Sequence, residues 1–281
     1  MDTLSVQRSH GGTQHVVGHA SRATGTPMTL GVFVPPGDAP AGGWPAVTFL
    51  SGLTCTHANV VEKGEYRAAA AELGLVVIAP DTSPRGPDVP DRDDIAIGQG
   101  ASFYLDATRK PWAAMFHVEQ YVVDELPEMV GELVPLDPAR QGVTGHSMGG
   151  HGALTLALRH PGRWRSVSAI APICAPTECS WGRNAFAAYL GDDEAQWARH
   201  DACRLIAGGA RPSELPAELL VEQGEADPFL HDQLKPDRLE AACAAAGVAL
   251  TLNRHAGYDH SYFFVSTVLG GHLRWHAERL G

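Results

Sequence analysis

A serine hydroxyl attacks near neutral pH only when a base takes its proton during attack. The residues of first interest are therefore a serine that a turn could expose and a histidine that could serve it. Gly145-His146-Ser147-Met148-Gly149 has the form G-x-S-x-G. Alone, such a pattern is a turn that any glycine-rich chain can contain, and 31 of these 281 residues are glycine. Its setting makes the difference: a short strand over 142–144 precedes it and a helical stretch over 150–159 follows. That predicts a sharp strand-to-helix turn with Ser147 at the apex, its hydroxyl lifted clear of a sheet. Residues two places either side come so close that only glycine fits, and Gly145 and Gly149 stand there. The turn also sets the Met148 backbone N–H at a helix N-terminus, where it favours a developing oxyanion.

Fourteen histidines compete to be the base. When serine sits on such an elbow, the acid and then the histidine follow it in sequence, each on a loop after a strand. His260 suits the last place, after the strand-like VALTLNR and within the glycine-containing loop HAGYDH; His255 is its nearest rival. Asp227 ends LLVEQGEAD, after another strand, with Glu225 and Asp259 as rivals for the acid. Asp227 would fix the tautomer of His260 and stabilise its imidazolium. His146 and His151 flank the nucleophile, and the tight elbow is expected to turn both side chains from its approach into packing or hydrogen-bonding roles. His272 and His276 stand i, i+4 on a final helix; without an acidic or thiol neighbour they are expected on an exposed face, and no metal site is expected.

The elements needed to position these residues are legible as alternating short apolar runs and helix-period segments. Two strand-like stretches between 14 and 34, around Thr24-Gly25-Thr26, suggest an N-terminal antiparallel hairpin. Residues 46–50 and 75–79 read as buried strands, and 66–73 as a helix ended by Gly74. The segment 81–112, rich in Pro, Gly and Asp, reads as a long surface excursion. Val118, Val122, Leu126, Val130 and Leu133 keep a helical spacing that Pro127 should kink or divide. Further strands are expected at 167–173, 218–221 and 248–252, with helices near 236–246 and after His260. Strand and helix alternate throughout, which predicts one α/β domain over 1–281 with a mostly parallel sheet, helices on both faces and no large inserted cap.

The chain carries 32 acidic against 21 basic residues, a net charge of −11, which argues against nucleic acid as partner. The opening residues MDTLSVQRSHGGTQHVV lack the apolar core of a secretory signal, and no apolar run approaches the ~20 residues of a membrane span. Five cysteines without a C-x-x-C pair suggest a reducing, cytoplasmic setting and neither a disulfide framework nor a zinc ribbon.

The segments SGLTCT (51–56), APDTSPRG (79–86), GHSMGGHGAL (145–154), SAIAPIC (168–174), QGEADPFL (223–230), LKP (234–236) and GYDHSYFF (257–264) resemble those of the S-formylglutathione hydrolases, the esterase D family of the α/β-hydrolase superfamily. The resemblance is spread over most of the chain. It implies the α/β-hydrolase fold and hydrolysis of S-formylglutathione to glutathione and formate, with side activity on small carboxylic esters, no cofactor and a homodimer. It also implies Ser147, Asp227 and His260 as a triad, with the backbone N–H groups of Leu53 and Met148 as the oxyanion hole. The chain departs from the family's pattern at Asn59-Val60, at Gly64-Glu65 and across 91–101, all near the pocket mouth. Cys55, near Leu53, is either a small buried apolar residue or a thiol whose modification blocks the pocket. Lys63, Trp181 and Arg183 are candidates to contact the glutathione moiety, although charged surface residues are commonly just solvated. Two other functions fit the same residues: a general carboxylesterase or sugar-acyl esterase, and a non-catalytic or acyl-transfer module on the same fold.

Overall fold

A computed structural model describes residues 1–210 and 218–281. Among these residues, nine strands form one sheet in the order β1-β2-β3-β5-β4-β6-β7-β8-β9. They are β1 (Asp2–Ser9), β2 (Gly12–Ala20), β3 (Pro27–Val34), β4 (Trp44–Leu50), β5 (Val76–Pro80), β6 (Leu136–Gly145), β7 (Ser166–Ile170), β8 (Glu218–Gly224) and β9 (Ala249–His255). β2 and β3 form the expected hairpin, β1 extends it by one more antiparallel strand, and β3 joins β5 antiparallel. From β5 to β9 every neighbouring pair is parallel.

β4, β5 and β7 are buried at every position, as their unbroken runs WPAVTFL, VVIAP and SVSAI require of strands covered on both faces. Parallel strands all end at the same edge of a sheet, and that edge is where such folds place their ligand-facing loops. The loops after β4, β6, β8 and β9 therefore gather there. They carry residues 51–56, Ser147, Asp227 and His260 respectively.

Two regions meet a more specific outcome. The helical spacing across Pro127 resolves into a short helix Val118–Gln120, a π-turn Tyr121–Glu125 and a helix Leu126–Leu133 with Pro127 in its first turn. The π-turn takes up the break that the missing proline N–H imposes. The loop after β4 contains an unforeseen helix, His57–Lys63, begun by a reciprocal cap between Thr56 and Asn59.

The segment 81–112 is a partial correction: residues 87–88, 91–93, 95 and 108–111 are exposed, as a surface excursion would be, but the stretches between them form an inner wall. Ala96, Ser102, Phe103, Tyr104 and Leu105 are all buried. Its polar groups are satisfied from inside: Ser102 Oγ donates to the Thr82 carbonyl (2.5 Å), and the Tyr189 hydroxyl donates to the Ala101 carbonyl (2.7 Å). Arg85 bridges the Asp81 carboxylate and the Cys55 carbonyl.

The second correction concerns His272 and His276. They do not lie on an exposed face: they are 1% and 0% exposed, on the sheet-facing side of the helix Tyr262–Leu280. Ser168 Oγ donates to Thr144 Oγ1 (2.8 Å) and lies 2.7 Å from His272 Nδ1 and 2.8 Å from His276 Nε2. Ser166 Oγ lies 2.6 Å from His276 Nδ1. Strand hydroxyls thus give these buried imidazoles hydrogen-bond partners at His272 Nδ1 and at both nitrogens of His276.

Candidate active site

The geometry begins with backbone. β6 ends at Gly145, the helix Met148–Arg159 begins two residues after His146, and Ser147 between them is held at φ 60°, ψ −118°. A non-glycine residue in that region costs on the order of 1–3 kcal/mol, which the surroundings must over-determine. Here they do. His146 N–H donates to the Leu50 carbonyl (2.9 Å), Ser147 N–H to Ile170 (3.0 Å) and Gly149 N–H to His146 (2.8 Å). A methyl at Gly149 would stand 1.9 Å from the Leu50 carbonyl oxygen, and one at Gly145 would stand 2.3 Å from that of Gly149. Both glycines are thus fixed by close backbone approach.

His260 lies past the end of β9, and its Nδ1 is 2.5 Å from Asp227 Oδ2. The Asp227 side chain is fully buried, and its other oxygen accepts the Phe229 backbone N–H (2.8 Å). A neutral His260 ring donating from Nδ1 leaves the Nε2 lone pair to face elsewhere. The rivals are engaged otherwise: His255 pairs with Glu222, Asp259 accepts from Ser261, and Glu225 is exposed.

Ser147 and His260 line one cavity of about 260 Å³ together with Leu53, Cys55, Trp181 and Phe229. A larger hollow of about 360 Å³ around Leu230 and Pro236 holds no serine beside a base. Met148 opens its helix, so its N–H belongs to the first turn, where helix amides lack intrahelical partners. Leu53 sits in the facing loop, whose next two amides are already used, Thr54 N–H by Gly100 and Cys55 N–H by Gly52.

Of the remaining candidates, Cys55 faces the cavity, and burial pushes its thiol above the ordinary range, which disfavours the reactive thiolate. Trp181 packs on Phe229 with ring centroids 4.8 Å apart. Lys63 lies outside this cavity, in an adjoining hollow that shares Ser261 and Tyr262 with it. Arg183 joins neither: its guanidinium lies over Trp197 (5.5 Å) and donates to the Thr177 carbonyl (3.3 Å). Among the described residues, no three His, Cys, Asp or Glu side chains stand together as a metal set.

His151 is buried as expected, with Nε2 3.2 Å from the Phe103 carbonyl, and burial pushes it down to about 4. His146 is the residue that sequence reasoning misplaced. It is 4% exposed yet lines the cavity, and its ring centroid stands 4.5 Å from that of His260. The strain at Ser147 turns the chain so that its predecessor faces the β9 loop, a contact between residues 114 apart that no local spacing signals.

Comparison with known proteins shows the family of the chain as a whole. A family model described as "Putative esterase" matches residues 21–277. The S-formylglutathione hydrolase of Paracoccus denitrificans (strain Pd 1222) is 53% identical over 280 residues, 100% of this chain and 98% of that protein. The S-formylglutathione hydrolase of Mus musculus is 46% identical over 279 residues, covering 99% of this chain and 98% of its own. The solved structure of an S-formylglutathione hydrolase from Agrobacterium tumefaciens superposes with a TM-score of 0.96 at 51% identity, covering 100% of both chains. A likeness that runs the full length, at such identity and on the same sheet, means that this chain belongs to the S-formylglutathione hydrolase family of esterases.

Proposed function

We propose that the chain hydrolyses S-formylglutathione to glutathione and formate, with Ser147 as nucleophile, His260 as base and Asp227 as the acid that orients it. The observation that carries this reading is the 2.5 Å contact between His260 Nδ1 and the buried Asp227 carboxylate, in the same cavity as a serine on a strained turn.

Ser147 Oγ bonds to the formyl carbon as its proton passes to His260 Nε2, and the carbonyl electron pair moves onto oxygen. The Leu53 and Met148 N–H groups receive that oxyanion; one such donor is worth ~3–4 kcal/mol in comparable sites. Collapse breaks the carbon–sulfur bond. The glutathione thiolate leaves with little acid help, because a thiol is a far better leaving group than an amine. The imidazolium gives its proton to the departing sulfur, so the neutral His260 can take one from the water that attacks the formyl-serine, and the second collapse returns that proton to Ser147 Oγ as formate leaves. A small cavity suits a small acyl group, and Cys55 and Trp181 supply part of its wall. Lys63, in the adjoining hollow, is placed to meet a carboxylate of the glutathione moiety.

Comparing kcat/KM for S-formylglutathione with that for aryl acetates and acylated sugars tests the substrate. The reading expects the thioester to lead; a sugar ester leading would replace it with the sugar-acyl esterase reading. The single nine-stranded sheet supports treating 1–281 as one domain. A homodimer is the expected assembly, read by analytical ultracentrifugation. Five free cysteines favour a reducing, cytoplasmic setting. No helix among the described residues is long and apolar enough to cross a membrane.

A further inference from the structure

Two other rings pack against the His260 ring: His146, its centroid 4.5 Å away and tilted by 40°, and Phe229, 5.1 Å away and nearly perpendicular at 88°. Tyr262 packs edge-on against His146 at 5.8 Å. A Cβ at Gly52 would lie 3.5 Å from His146 Nδ1, so the same ring also abuts the loop that carries Leu53. One side chain therefore touches the nucleophile turn, the base and the facing loop at once.

Its chemistry is unusual for so buried a position. Neither ring nitrogen of His146 meets a hydrogen-bond partner at good distance and angle, although the His260 backbone stands near enough to act on the ring. A buried polar atom without a partner is a cost to stability, and an apolar ring of similar size would avoid it. Burial, reinforced by the nearby His260 ring, holds His146 well below the ordinary histidine range. The ring thus stays neutral while its neighbour takes up a proton. A cation within about 6 Å of an aromatic centroid is attracted by the ring's face, most strongly where water is excluded.

We propose that His146 is a positioning residue for this reaction, forming with Phe229 an aromatic clamp that holds the His260 ring between Asp227 and Ser147 and favours the imidazolium that forms there. It rests on the reading of Ser147 and His260 given above. Because the cation exists only once Ser147 has given up its proton, the contact strengthens in the transition state. Its loss falls on kcat and leaves KM alone.

The test is steady-state kinetics of His146→Leu, His146→Phe and Phe229→Leu, each on S-formylglutathione and on 4-nitrophenyl acetate, with thermal unfolding recorded alongside. His146→Leu keeps the volume and removes the ring face; kcat is expected to fall about tenfold on both substrates, with KM within about twofold. His146→Phe restores the face without the nitrogens and is expected to recover most of kcat. Wild-type kcat in His146→Leu overturns the proposal, as does a His146→Phe variant no better than Leu. Should His146→Leu fail to fold, Phe229→Leu removes the other side of the clamp; an unchanged kcat there overturns it equally. A wild-type enzyme that ignores S-formylglutathione but cleaves the aryl ester would defeat the substrate reading, and the clamp would then be judged on the ester.

Discussion

Histidines lie at two different depths of the same sheet, one half-buried and two fully buried, and they differ in what their nitrogens meet. At the strand ends, His260 meets a carboxylate on one side and an open cavity on the other. Beneath the sheet, His272 and His276 meet the hydroxyls of Ser166 and Ser168. Ser168 donates to Thr144, so it accepts from both imidazoles, and His276 Nδ1 in turn accepts from Ser166. Every proton in that network is placed with both rings neutral. An added proton on His272 would emerge at Nε2, which is buried without a partner. Burial alone does not make a histidine a base. A charged partner that stabilises the protonated ring does, together with an open route to a nucleophile.

The comparison breaks first at Asp227. Asp227→Asn leaves the shape of the site but allows the wrong tautomer of His260, and kcat is expected to fall by about 10⁴. Steady-state turnover with circular dichroism as a folding control measures it; a loss under tenfold would mean that the carboxylate is not orienting the base. The opposite signature is expected beneath the sheet. Ser168→Ala strips the hub from His272, His276 and Thr144 and should cost about 1–3 kcal/mol in denaturant unfolding while kcat stays within about twofold. A large loss of kcat there would erase the distinction between the two groups.

The smallest effect is one of pH. Burial pushes His272 down to about 3 from its ordinary 6.5. Between those values the unfolded chain binds a proton that the folded one does not, so stability is full above about 6.5 and declines as pH falls towards 3. Each such group contributes up to about 1.4 kcal/mol per pH unit across that window. His272→Leu should flatten the unfolding free energy against pH by about one group's share, while the pH dependence of turnover above 6.5 stays as it was. An unchanged slope would place a charged His272 in the folded state.

Where the sequence was informative, the chemistry was local. Ser147, Asp227 and His260 each stand in the loop that follows a strand, and a strand, a glycine-bounded turn and a helix are all short-range patterns. The i, i+4 spacing of His272 and His276 is also local, but it says only that two residues share a helix face. Whether that face meets water or strand serines depends on β6 and β7, more than a hundred residues away. Composition misled over 81–112 for a similar reason: Pro, Gly and Asp report turns, whereas depth is decided by partners such as Tyr189 and Ser102 that satisfy the loop's polar groups. His146 was misplaced because its neighbour across the cavity, His260, arrives from a different strand end.

The most direct trial of the whole account is turnover of S-formylglutathione by Ser147→Ala. If the hydroxyl on the strained turn is the atom that takes the formyl group, kcat/KM falls by at least about 10⁴ while the protein folds and elutes as before. Turnover within tenfold of the unaltered chain would contradict it.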